Sequence, residues 1–103
     1  MAGIVRWKRT AKTDLREIYN YYLRVTDIDT STRILGIIFR DLKRLADSPL
    51  LDREDSQFQK PNQRWYYLLD ARYEVYYERV APNTIRIVKI WPCKREDLDP
   101  SKI

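Results

Sequence analysis

The stretch Gln63–Arg95, QRWYYLLDARYEVYYERVAPNTIRIVKIWPCKR, decides the fold. From Arg64 the apolar residues alternate, with Trp65, Tyr67 and Leu69 on one side of a strand and Tyr66 and Leu68 on the other. Asp70, Ala71 and Arg72 turn the chain into a second strand, which puts Tyr73, Val75 and Tyr77 on one face and Glu74, Tyr76 and Glu78 on the other. A turn at Ala81, Pro82 and Asn83 leads to TIRIVKIW, apolar at nearly every position and therefore expected in the interior of a sheet. The run ends in the basic pair Lys94 and Arg95.

Upstream the period lengthens. After a short β-type run from Ile4 to Trp7, Ala11, Leu15, Ile18, Tyr22 and Val25 recur at three- and four-residue spacing, the stripe of an amphipathic helix from about Ala11 to Val25. Lys12, Arg16, Asn20 and Arg24 fall off that stripe. Thr10 is its expected N-cap, and Asp14 and Glu17 lie toward the positive end of the helix dipole. The DIDTST segment offers capping side chains for a second helix, from Thr30 onward, in which Ile34, Leu35, Ile38, Leu42, Leu45 and Ala46 repeat the helical period until Pro49 stops it. Gly36 costs that helix about 1 kcal/mol relative to Ala, so it marks either a close approach of the first helix or a tolerated surface position. Residues 50–61 have no clean period and are expected to form a loop.

The order is thus β-α-α-β-β-β. It predicts an α+β fold with a two-helix hairpin packed on one face of a small, mainly antiparallel four-stranded sheet, and one domain over residues 1–103. The other face, bearing Trp, Tyr and charged groups, is expected to be open, as a binding surface is.

Composition narrows the chemistry. The chain has 20 Lys and Arg against 15 Asp and Glu, a formal charge of +5, which favours an anionic partner. Histidine is absent and there is a single cysteine, Cys93, so an intramolecular disulfide, a Cys/His metal centre and a histidine-based triad are all excluded. No metal or cofactor is expected. No apolar run suits a signal peptide or a membrane span, which makes a reducing cytoplasm the default location.

In order and spacing these residues resemble the RelE/ParE superfamily of toxins from type II toxin–antitoxin modules, over almost the whole chain. The first strand is followed by a pattern similar to T-x-x-A-x-x-D-L-x-x-I-x-x-Y, here Thr10, a displaced Ala11, Asp14, Leu15, Ile18 and Tyr21 or Tyr22. Then come L-x-x-x-P at Leu45 to Pro49, a strand led by Arg64, Y-x-V-x-Y at Tyr73, Val75 and Tyr77, and I-x-I-V-x-I at Ile85, Ile87, Val88 and Ile90 with its basic ending. The resemblance implies a growth-arresting toxin held inactive by a cognate antitoxin. RelE-like members cut messenger RNA on the ribosome, and ParE-like members poison DNA gyrase. Messenger cleavage is taken first, gyrase poisoning second, and an inactive relative that only binds antitoxin or RNA third.

Cleavage through the 2′-hydroxyl needs a proton acceptor, charge stabilisation at the phosphate and a proton for the leaving oxygen. Without histidine, the candidate catalytic set is Lys94, Arg95 and Tyr76, with Arg64 and Arg72 as further phosphate contacts and Trp65 and Tyr67 as base-stacking groups on the exposed face. The sequence departs from the nuclease pattern in three places. Glu74 stands where an arginine is expected, aromatics around Trp65 and Tyr67 replace lysines on the preceding strand, and no tyrosine follows Arg95. Glu74 acting as base is the rearranged alternative.

Overall fold

A computed structural model describes residues 3–54, 63–69 and 71–93. The four expected strands are all present: β1 (Ile4–Trp7), β3 (Gln63–Leu68), β4 (Tyr73–Ala81) and β5 (Thr84–Pro92). A two-residue strand, β2 (Arg53–Glu54), is added inside the stretch expected to be a loop. The sheet runs β1-β5-β4-β3-β2, with β1 parallel to β5 and the other pairs antiparallel. The parallel pair requires a crossover, which the two helices α1 (Arg9–Val25) and α2 (Ile28–Asp47) supply.

Both helices pack on one sheet face. Ala11, Ile18 and Tyr22 of α1 and Ile38, Leu42 and Leu45 of α2 meet Val75 and Tyr77 of β4 and Ile85, Ile87 and Ile90 of β5 in one core. Each fully buried aliphatic side chain there contributes about 1.5–3 kcal/mol relative to exposure. Val25, counted on the apolar stripe, lies at the helix end and is exposed. The hairpin closes tightly because Asp27 accepts from the Thr30 N–H at 2.7 Å as the N-cap of α2, and because the fully buried Ser31 donates to the Tyr19 carbonyl of α1 at 3.3 Å.

Of the two glycines, Gly36 has open space where a side chain would go, so it is a surface position. Gly3 is the close approach: a Cβ there would stand 2.6 Å from the Lys43 carbonyl oxygen and 2.7 Å from the Ala46 Cβ. Among the described residues no helix is long and apolar enough to cross a membrane.

Strand β5 owes its nearly continuous apolar sequence to an irregularity. Tyr76 pairs with Lys89 but Tyr77 pairs with Ile87, leaving Val88 as an extra residue in a β-bulge. The inward set therefore shifts from Ile85 and Ile87 to Ile90, and Lys89 and Trp91 are turned to the outer face. The turn between β3 and β4 places Leu69 at φ 53° and Ala71 at φ 64°, left-handed conformations that cost a side chain-bearing residue roughly 1–2 kcal/mol each.

Candidate functional site

Strand β1 covers β5 only as far as Ile87, opposite Trp7. Beyond that point the start of α1 takes over the exposed edge of β5. The Lys8 N–H donates to the Ile87 carbonyl at 2.9 Å, and the Thr10 hydroxyl donates to the Val88 carbonyl at 2.8 Å. One helical turn later the buried Asp14 accepts from the Ile90 N–H at 3.0 Å and from Lys89 Nζ at 2.8 Å. Thr10 is therefore not the N-cap. Lys8 holds that position with no side-chain bond, and the Thr10 hydroxyl satisfies the edge of the sheet instead.

This seam opens a groove of about 810 Å³ between the second half of α1 and the ends of β4 and β5. Ile18, Tyr21, Tyr22 and Val25 form one wall, and Arg72, Tyr73 and Trp91–Pro92–Cys93 form the other. Tyr21 and Tyr22 meet edge to face at 5.1 Å. Burial, and then the neighbouring Tyr22 hydroxyl, push the Tyr73 hydroxyl far above its ordinary value, so it stays protonated and can donate a hydrogen bond at any physiological pH. The end of β5 is fastened to the turn by the Cys93 N–H, which donates to the Arg72 carbonyl at 2.9 Å.

The outer sheet face carries two cross-strand rows. Tyr67, Glu74 and Trp91 form one, and Trp65, Tyr76 and Lys89 the other. Trp65 and Tyr67 pack edge to face at 4.9 Å, and Lys89 Nζ lies 5.1 Å from the centre of the Trp91 ring. Between these groups the Tyr76 hydroxyl donates to Glu74 Oε2 at 2.7 Å. Glu78, next along the same face, accepts from Arg86 at 2.9 Å and faces Lys8 at 3.9 Å. Among the described residues the middle of the face is thus aromatic and acidic, and Lys8, Arg86 and Lys89 are engaged with carboxylates.

The residues singled out from sequence are divided by this geometry. Trp65, Tyr67 and Tyr76 share the outer face, but Tyr76 is only 7% exposed, packed into its row rather than projecting from it. Arg64 pairs with Tyr77 on the inner side of the sheet, 4.0 Å from Asp52, away from Trp65. Arg72 is exposed at the groove wall. Lys94 and Arg95 lie outside the described residues.

The inner position of Arg64 leads to a network that sequence reasoning missed. Arg79 holds Asp52 with two donors, Nε to Oδ2 at 2.6 Å and Nη2 to Oδ1 at 2.8 Å, and also donates to the Leu45 and Ala46 carbonyls at 2.8 and 2.9 Å. Those are among the last carbonyls of α2; the Leu45 carbonyl also accepts from the C-cap Ser48 N–H at 3.1 Å. The Tyr77 hydroxyl donates to the same carboxylate. Burial pushes the Asp52 carboxyl up, but the bonds from Arg79 and Tyr77 and the charges of Arg79 and Arg64 outweigh it and hold it below its ordinary value. The signal was present: Arg79 has the inward parity of Tyr77, and an inward arginine requires a buried partner.

The chain matches the family model of the ParE toxin of the type II toxin–antitoxin system parDE over residues 5–97. Among curated proteins nothing matches significantly. A solved structure described as the chromosomal ParDE TA system from P. aeruginosa superposes with a TM-score of 0.71 at 21% identity, covering 89% of this chain and 97% of that one. That likeness bears on the fold. The family match spans most of the sequence, and the chain belongs to the ParE toxin family of type II toxin–antitoxin systems.

Proposed function

We propose that this toxin arrests growth by poisoning DNA gyrase rather than by cutting messenger RNA, and that a cognate antitoxin silences it by seating an apolar segment in the groove between α1 and the end of β5. The observation that carries the first part is Glu74. Its carboxylate accepts from the Tyr76 hydroxyl at 2.7 Å in the middle of the outer face, where a scissile phosphate would meet a like charge. Arg64, which a nuclease would turn toward that phosphate, belongs to the Asp52 cluster on the other side of the sheet. The antitoxin reading is supported by the groove's apolar wall, by exposed Tyr21, Val25 and Trp91 at its rim, and by the ParDE system found at the structural neighbour.

Induction of the gene alone and together with its genomic neighbour tests the pairing, with arrest expected only in the first case. Adding the purified protein to a translating extract tests the target. Message lengths are expected to stay unchanged, and shortening at codon boundaries would assign it to the nucleases instead.

A further inference from the structure

The solvent side of α1 carries a feature that neither the groove nor the outer sheet face uses. Lys12, Arg16, Asn20 and Arg24 recur every four residues, and Arg9 precedes them by one turn, so all five lie along one ridge of a helix about 25 Å long. All five are exposed, and the buried stripe of Ala11, Ile18 and Tyr22 faces the opposite way. From Arg9 to Asn20 every exposed side chain is polar. Of the two acids on the helix, Asp14 is buried against Lys89 and Glu17 lines the groove. Among the described residues Arg9, Lys12 and Arg16 enter no ion pair, as is true of the exposed Arg6, Arg33 and Arg40, but on α1 such cations follow one another along a single ridge.

This arrangement works against the stability of the helix. Its first turn has no acidic residue, Arg9 and Lys12 face the positive end of the dipole, and Lys12 and Arg16 are a like-charge pair one turn apart. Charges placed where local energetics disfavour them point to use.

We infer that this ridge is a docking surface for the phosphate backbone of duplex DNA, a contact beyond the toxin–antitoxin pairing and independent of it. An acidic protein would need an apolar anchor, and from Arg9 to Asn20 the ridge exposes none; Leu23, in the last turn beside Arg24, is exposed only beyond that stretch. Arg, Lys, Thr and Asn are the side chains that contact phosphates, and all four types stand there, Thr13 included. A single strand would need aromatic platforms for its bases, which this stretch does not expose. A convex helix fits the wide major groove of B-form DNA and not the narrow one of an RNA duplex.

The test is fluorescence anisotropy of the full chain with a random-sequence DNA duplex. Four phosphate contacts predict a log–log salt slope of about −3.6, or about a hundredfold loss of affinity between roughly 50 and 200 mM salt. Lys12→Gln with Arg16→Gln should shallow that slope by about 2, whereas Arg33→Gln with Arg40→Gln on α2, the same change in net charge, should leave it unchanged. Arg9→Glu with Lys12→Glu should lose binding while melting at a higher temperature than the parent, which shows that the fold is intact. Absence of binding at the low-salt end, equal effects of the α1 and α2 pairs, or an RNA duplex bound as tightly as DNA would overturn the assignment.

Discussion

Asp14 of α1 holds both Lys89 Nζ, at 2.8 Å, and the Ile90 backbone N–H, at 3.0 Å, so a single carboxylate joins the first helix to the edge of β5. Replacing it by alanine leaves the Ile90 donor without its partner and Lys89 without its counter-ion. Asp14→Ala is expected to cost about 1–3 kcal/mol in urea denaturation. Lys89→Met, which removes the partly exposed charge but leaves the backbone bond, is expected to cost less than half as much.

The Asp52–Arg79 pair ties the end of α2 to β4, with side chains only 12% and 13% exposed. Arg79→Met should lower stability by about 2–3 kcal/mol, since it leaves a largely buried carboxylate without its counter-charge and removes a donor from the Leu45 and Ala46 carbonyls. The pH dependence has a definite sign. The folded Asp52 carboxyl lies below its ordinary value of 3.8, so its contribution is fully present above that value and disappears as the pH falls through the folded one. The stability gap between the parent and Asp52→Asn should therefore be constant near neutrality and close in acid, as followed by thermal melting at stepped pH.

The two glycines should respond in opposite directions to the same change. Gly36→Ala fills open space on a helix and is expected to stabilise by up to about 1 kcal/mol. Gly3→Ala drives a methyl group into the Lys43 carbonyl and Ala46 and is expected to destabilise by about 1–3 kcal/mol. Paired urea titrations check both.

Ala71 sits at φ 64° in the turn that borders the groove. Ala71→Gly removes the left-handed penalty but adds freedom to the unfolded chain, and the balance is a gain of about 0.5–1 kcal/mol in melting experiments. Turns held in costly conformations are often functional, so the stabilised variant should be assayed for toxicity alongside the parent.

Trp91 is half exposed, so Trp91→Ala should barely change stability. If the antitoxin fills the groove, the same substitution should weaken its binding at least about tenfold, measured by calorimetry with the purified antitoxin.

The strands β3, β4 and β5 were legible because alternation and turn residues agree, and the helices because their stripes are long. Strand β2 was not, since two residues cannot display a period. The candidate site was legible only in part. Arg64 and Trp65 are consecutive strand residues and must face opposite sides, which separates a phosphate contact from a stacking group assigned to one surface. The polarity of Thr10 and Asp14 suggested capping and dipole effects within the helix, but both side chains serve the edge of β5, a contact across 76 and 78 residues that no local pattern carries. Tyr76 has outward parity yet is buried, because Trp65 and Lys89 pair with it on either side.

The most direct measurement is the accumulation of linear DNA when purified gyrase, supercoiled plasmid and ATP are incubated with this protein. Linear product rising with toxin concentration and abolished by the antitoxin is the result predicted here; unchanged supercoiling at saturating toxin would contradict it.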